Sequence, residues 1–157
     1  MVTGTPRPYA APMAIDRTGE WWRGDAPGDI DELLADVSEE GYPVTSVVHA
    51  RCAECEGEEF RLRVDDEEGC AERTCVRCGT AVLMLDSAEY VADAELESAE
   101  CLCDNDVFNV AVGFADHADG EVRWVYLGLR CTADGTLGCY VDWKIDYLPT
   151  AHLRTSV

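Results

Sequence analysis

Cys-Ala-Glu-Cys at residues 52–55 and Cys-Val-Arg-Cys-Gly at residues 75–79 are the stretches of sequence that decide the fold. A related pattern follows, with Cys-Leu-Cys at 101–103 and Cys-Thr-Ala-Asp-Gly at 131–135. A shift of 48 residues aligns Cys55 with Cys103, and a shift of 56 aligns Cys75 and Cys78 with Cys131 and Asp134. The chain is therefore an internal duplication. Its second copy contains eight more residues between the pairs and has Asp134 at the position of the fourth cysteine.

The spacing in the first copy is typical of a metal site built from two tight turns. Zn²⁺ prefers four ligands at tetrahedral corners, about 2.0–2.3 Å away, and each C-x2-C turn supplies two of them. Gly79 lets the backbone turn so that amide groups face the thiolates. We therefore predict a zinc site at Cys52, Cys55, Cys75 and Cys78. The alternatives are a disulfide or redox pair and an iron site of rubredoxin type.

The second copy predicts a Cys3Asp zinc site, because a carboxylate oxygen binds zinc at a distance similar to that of a thiolate. Its ligands would be Cys101, Cys103, Cys131 and Asp134. Cys139 is the alternative fourth ligand, but five residues of extended strand would place it about 16 Å from Asp134. It also aligns with Leu83, which is not a ligand. A metal-poor or water-completed second site is the remaining alternative.

The span from Cys52 to Asp86 resembles the zinc-ribbon family, and tandem ribbons of this kind would cover about residues 52–143. The runs at 122–131 and 140–147 are similar to those of small uncharacterised actinobacterial zinc-ribbon proteins. The resemblance implies a structural metal and no particular activity. A cysteine at position 134 would fit the family better than the aspartate does.

Hydrophobic patterning predicts a mainly β fold of two tandem zinc-ribbon-like hairpin modules, with one short N-terminal amphipathic helix. Ile30, Leu33, Leu34 and Val37 define the apolar face of that helix. We expect the hairpin of the second copy to be about four residues longer per strand. The segments are a flexible arm (1–20), a Trp-containing segment (21–48) with the helix at 29–40 and a strand, ribbon 1 (49–87), an acidic linker (88–100), ribbon 2 (101–148) and a loose tail (149–157).

Charge and cysteine content narrow the function. The 157 residues include 32 Asp and Glu against 12 Lys and Arg, for a formal net charge of −20. Such a chain repels nucleic-acid phosphates and favours a basic protein partner, although a generally acidic proteome would explain the composition equally well. No apolar run predicts a leader or a membrane span, and the nine cysteines then suit a reducing cytoplasm.

We therefore predict a non-enzymatic module that binds two Zn²⁺ ions and mediates protein–protein interaction. A more specific form of this prediction is that the partner is a basic protein. One alternative is an enzyme or metal sensor at the second site, where departure of Asp134 would let zinc activate a water molecule. The other is a nucleic-acid-binding ribbon, which the net charge disfavours. That alternative would need an arginine patch, for which the first copy offers Arg51, Arg61, Arg63, Arg73 and Arg77.

Overall fold

The computed structural model describes residues 15–157, and it confirms the predicted mainly β fold with one short α-helix. The first fourteen residues of the predicted arm lie outside this description. The helix and strands are α1 (Asp29–Ser38), β1 (Ser46–His49), β2 (Phe60–Asp65), β3 (Cys70–Cys75), β4 (Ala81–Leu83), β5 (Glu97–Ser98), β6 (Phe108–Asp116), β7 (Val122–Cys131) and β8 (Leu137–Lys144). Within the described residues, no helix has the length and apolar character needed to cross a membrane.

The strand register of the first copy is repeated in the second. In the first hairpin, β2 and β3 pair Phe60 with Cys75, and in the second, β6 and β7 pair Phe108 with Cys131. The outer strands β4 and β8 also attach to β3 and β7 in equivalent registers. The duplication seen in the sequence is therefore also a duplication of backbone pairing.

The two copies join through equivalent residues, because Phe60 on β2 pairs with Phe108 on β6. The pairing is antiparallel, so a local two-fold axis relates the inner strands, and the sheet order is β4-β3-β2-β6-β7-β8. Both copies consequently contribute to one sheet. The predicted linker at 88–100 is partly structured, since its strand β5 pairs with β2.

The additional residues of the second copy lengthen its hairpin nearly as predicted. β6 has nine residues against six in β2, and β7 has ten against six in β3. The longer part of β6 gives β1 its partner, with Ser46 opposite Phe114. The extension therefore connects the N-terminal segment to the sheet.

Helix α1 ends two residues earlier than predicted and packs on the second hairpin. Ile30, Leu33 and Leu34 are buried against the sheet. The helix approaches Gly113 and Gly128 so closely that a Cβ atom on Gly128 would lie 2.5 Å from Ile30 Cγ2. The aligned positions in the first copy are occupied by Asp65 and Glu72, which could not accept an apolar helix.

We expect Gly128→Val to destabilise the protein by about 1–3 kcal/mol, because the added methyl groups would overpack the contact with Ile30 and Leu34. Urea unfolding of the metal-loaded protein measures this change. Gly138→Val is the matched control on the neighbouring strand, since a Cβ atom there would meet nothing within 4 Å. Equal losses of stability in the two variants would contradict the proposed packing.

The prediction of a loose tail at 149–157 is wrong. Thr150 and Leu153 are fully buried. Ser156 accepts a hydrogen bond from the amide of Leu85 at 2.7 Å, and Val157 accepts one from Arg73 Nη2 at 3.0 Å. One apolar side chain and a few backbone hydrogen bonds are enough to fix the tail over the core, which the low apolar content of its sequence did not indicate.

The described part of the predicted flexible arm is also held in place. Asp16 and Arg23 exchange two backbone hydrogen bonds of 2.8 and 2.9 Å. Arg23 forms a further bridge to Thr136, and Leu137 donates to the carbonyl of Trp22 at 2.7 Å. Residues 16–23 therefore form a closed loop beside the second copy.

Candidate metal centres

Four cysteines of the first copy converge at the base of the β2–β3 hairpin, and we call this group site 1. The Sγ atoms of Cys52 and Cys78 lie 3.5 Å apart, as do those of Cys55 and Cys75. All four lie within 4.8 Å of one another. Four sulfur atoms held about 2.3 Å from one ion would be separated by about 3.8 Å, so the group can hold a metal ion. The separations are also too long for disulfide bonds.

Four residues of the second copy form an equivalent group, which we call site 2. The Sγ atoms of Cys103 and Cys131 are 3.6 Å apart, and Cys101 Sγ lies 3.7 Å from Asp134 Oδ1. The four ligand atoms again lie within 4.8 Å of one another. A Cys3Asp donor set suits a borderline-soft divalent ion, so this group can hold a metal ion as well.

All four ligand turns share one backbone design. The residue after the second ligand of each turn has a left-handed φ, between +64° and +80°, at Glu56, Gly79, Asp104 and Gly135. The amide of the first ligand donates to a carbonyl just beyond the turn, at 2.8–2.9 Å, from Cys52, Cys75, Cys101 and Cys131. The turn that carries Asp134 is therefore built like the turn that carries Cys78, which places a carboxylate where the first copy has a thiolate.

Backbone amides favour the ionised form of several ligands. The Thr136 amide donates to Asp134 Oδ1 at 3.0 Å and holds the pKa of that carboxyl well below its usual range. The hydroxyl and amide of Thr80 lower the pKa of Cys78 to about 6. The Gly57 amide also lowers the pKa of Cys55. Burial and three neighbouring thiols have a larger opposite effect, so the pKa rises to about 12. The four thiols of site 1 therefore compete for protons unless a cation lies between them.

Two other buried or half-buried thiols lie outside both groups. Cys139 is on β8 opposite Gly128, and burial raises its pKa to about 12. It packs with the apolar cluster beneath α1 rather than beside Asp134. Cys70 is fully buried and its thiol donates to the carbonyl of Ser87. The structure thus brings Asp134, and not Cys139, to the other three ligands of site 2.

Asn105 contacts site 2, which the sequence pattern did not indicate. It aligns with Gly57, where an added Cβ atom would lie 3.1 Å from Cys75 Sγ. In the second copy the shortened Cys-x-Cys turn accommodates the side chain, and Asn105 Nδ2 lies 3.2 Å from Cys131 Sγ and 2.7 Å from the carbonyl of Val107. Asn105 therefore provides Cys131 with a side-chain amide donor, whereas Gly57 can provide none to Cys75.

The sequence pattern did not single out Arg73 either, and its burial removes it from the candidates for an exposed arginine patch. Only 4% of its surface is exposed, because strand alternation on β3 turns it inward with Ala71 and Cys75. Its guanidinium lies 4.8 Å from the ring centre of Phe60, and its Nε and Nη1 atoms have no hydrogen-bond partner within the described residues. Burial lowers the pKa of Arg73, whereas the thiolates of Cys52 and Cys75 raise it.

A cavity of about 550 Å³ opens beside site 2. Its walls are the loop 16–23 on one side and Leu102, Cys103, Asp134 and Thr136 on the other. Two metal-ligand candidates of site 2 are therefore in contact with a space large enough for a small molecule.

Comparisons of the chain with protein-family models, with curated proteins and with solved structures find no match. The resemblance to zinc ribbons therefore remains a prediction based on the ligand motif. The assignment of the two ligand groups depends on their own geometry and chemistry.

Proposed function

We propose that the protein is a non-enzymatic module in which each site holds one Zn²⁺ ion. The observation that supports this most strongly is the convergence of four ligand atoms, within 4.8 Å of one another, on similarly built turns in both copies. Four strong ligands leave no position for water or substrate, which is typical of structural zinc. Thiolates in both sets favour zinc over magnesium or calcium. All nine cysteines are free of disulfides, which fits the reducing cytoplasm in which we place the protein.

We further propose that the module binds a basic segment of a protein partner in an acidic groove. The groove has a volume of about 390 Å³ and lies between the β2–β3 turn, the chain around β5, and Tyr140 on β8. Its carboxylates come from Asp65, Asp66, Glu67, Glu95 and Glu97. Within the described residues, none of these five pairs with a cation, whereas acidic residues elsewhere pair with Arg61, Arg63 and Arg154.

The shape of the acidic groove is fixed by Asp65. Its carboxylate accepts hydrogen bonds from the amides of Glu95 at 2.8 Å, Glu67 at 2.9 Å and Glu68 at 3.2 Å. These bonds, with that of Glu95 the strongest, lower the pKa of Asp65. The two acidic segments are thereby held against each other, so a basic segment would meet a preorganised set of charges.

A fluorescent nona-arginine peptide tests the groove. The triple variant Asp66→Asn, Glu67→Gln, Glu95→Gln is expected to bind the peptide about fivefold more weakly or worse, because it loses three ion pairs. The control variant Asp36→Asn, Glu39→Gln, Glu40→Gln removes the same charge from the exposed end of α1 and should change affinity less than about twofold. Equal weakening in both would show that only net charge attracts the peptide, which would contradict the proposal.

The arrangement of arginines gives little support to nucleic-acid binding. Of the five candidates in the first copy, Arg51, Arg61 and Arg63 pair with carboxylates, and Arg73 is buried. A second candidate function is favoured by one observation, the cavity that reaches Cys103 and Asp134. That function is a metal site open to ligands, of the kind an enzyme or a metal sensor would use.

A further inference from the structure

The two sites differ in the strength of their fourth ligand. The Thr80 hydroxyl lies 3.2 Å from Cys78 Sγ in site 1, and the Thr136 amide donates to the Asp134 carboxylate in site 2, so an equivalent threonine contacts the fourth ligand in each copy. Zinc is a borderline-soft ion, and a single carboxylate among three thiolates is the hardest member of the set. An incoming thiolate would therefore bind the ion of site 2 more strongly than Asp134 does.

The cavity gives such a ligand access to site 2. The Cys103 side chain is exposed, and the adjacent Leu102 is 80% exposed. The opposite wall is fixed to the same turn that carries Asp134, because the Gly24 amide donates to the Gly135 carbonyl at 2.9 Å. A Cβ atom on Gly135 would lie 2.5 Å from the Gly24 carbonyl oxygen, which shows how closely the two walls meet. The cavity is therefore a fixed feature of this end of the sheet.

The charges of the cavity favour a cationic ligand. Asp16 and Glu20 lie on the loop wall, and Arg23 is the one cationic side chain among the described lining residues. The Asp16 carboxylate accepts hydrogen bonds from the amide and hydroxyl of Thr18, and these bonds lower its pKa. Once Asp134 leaves the metal, its carboxylate adds a third negative charge to the cavity, from the opposite wall.

We propose that site 2 binds a small cationic thiol, whose sulfur replaces Asp134 on the metal. The metal–oxygen bond to Asp134 breaks, a metal–sulfur bond forms, and the thiol proton passes to solvent. The oxidation state of the metal and of sulfur does not change. Asp134 thus acts as an exchangeable ligand that keeps the fourth position filled until the thiol arrives. This inference rests on the proposed metal occupancy of site 2.

Cobalt substitution tests the exchange on the full chain, because Co²⁺ visible spectra distinguish coordination by three thiolates and a carboxylate from coordination by four thiolates. Metal content after gel filtration is expected to be two Co²⁺ per chain. Cysteamine should then shift the spectrum to that of the variant Asp134→Cys, in which both sites have four cysteine ligands. Mercaptoacetate, an anionic thiol, should need about fivefold higher concentration. Glu20→Gln should reduce the difference between the concentrations of cysteamine and mercaptoacetate that are needed, because it removes a negative charge from the cavity.

The matched control is Asp134→Cys itself, whose spectrum should not respond to either thiol. A wild-type spectrum that stays constant at millimolar thiol, a response of equal size in Asp134→Cys, or release of Co²⁺ from the protein would each overturn the exchange. A cobalt content of one per chain before any thiol is added would instead show that site 2 is not a metal site. That result would refute both the proposed occupancy and the exchange that depends on it.

Discussion

Replacement of Cys75 by serine is expected to remove the metal from site 1 and to unfold the first copy. Cys75 is 1% exposed and ends β3, so its sulfur is fixed by the strand pairing with Phe60. Structural zinc contributes about 10–16 kcal/mol of apparent binding energy, which exceeds or equals the total stability of a typical domain. Native mass spectrometry should count two zinc ions in the wild type and one in Cys75→Ser, and the melting temperature should fall sharply.

Cys70→Ser is the matched control for this prediction. Cys70 is a fully buried thiol on the same strand but lies outside site 1. Its replacement should cost roughly 1 kcal/mol and leave two zinc ions in place. If Cys75→Ser kept both zinc ions and its melting temperature, Cys75 would not be a metal ligand, and the ligand set assigned to site 1 would be wrong.

Because the two copies share one sheet, Cys75→Ser should also affect zinc binding at site 2. The only direct pairing between the inner strands of the two copies, within the described residues, is Phe60 with Phe108, next to Cys75 and Cys131 respectively. Loss of structure in the first copy would expose Phe108, which is 4% exposed in the intact protein. We therefore expect site 2 to bind zinc more weakly in Cys75→Ser than in the wild type.

The parts of the site that could be predicted from sequence are those fixed by local geometry. Two ligands three residues apart face the same ion whatever the rest of the fold does, so the pattern was sufficient to group Cys52 with Cys55. Asp134 could be chosen over Cys139 for a similar reason, because β8 is extended and carries Cys139 away from the turn. The duplicated spacing also predicted the longer second hairpin.

The parts that could not be predicted depend on contacts between distant segments. No periodicity indicates that Phe60 would pair with Phe108, or that the tail would cover the core at Leu153. Asn105 was missed because Gly57, at the aligned position of the first copy, carries no side chain to compare. Nothing in the sequence distinguished Arg73 from the other arginines of the first copy, whereas strand alternation on β3 turns it inward.

Arg73→Leu is expected to weaken zinc binding at site 1 by about 10–100-fold, the range typical for loss of a residue that supports the metal ligands. Four thiolates and one Zn²⁺ leave a net charge of about −2 on the loaded site, and the buried guanidinium lies in the field of Cys52 and Cys75. A buried charge without compensation costs several kcal/mol. The loaded site and Arg73 therefore stabilise each other, and removal of one makes the other less favourable.

In the metal-free protein, Arg73→Leu should stabilise the fold instead of weakening it. This reversal distinguishes an electrostatic role of Arg73 from a packing role. Without the metal, the competing thiols of site 1 carry less negative charge than the four thiolates of the loaded site, and Arg73 loses much of its compensation. Arg73→Leu should therefore raise the melting temperature of the metal-free form. Arg73→Lys should retain most of the zinc affinity because it keeps the charge. Site 2 should be unaffected, since the aligned position there is already Leu129.

Chelator competition measures the zinc affinities of both sites, and Arg63→Leu, which removes an exposed arginine from the neighbouring strand, controls for net charge. If Arg73→Leu and Arg63→Leu bound zinc equally well, Arg73 would have only a packing role, with its ring contact to Phe60 as the reason for its burial.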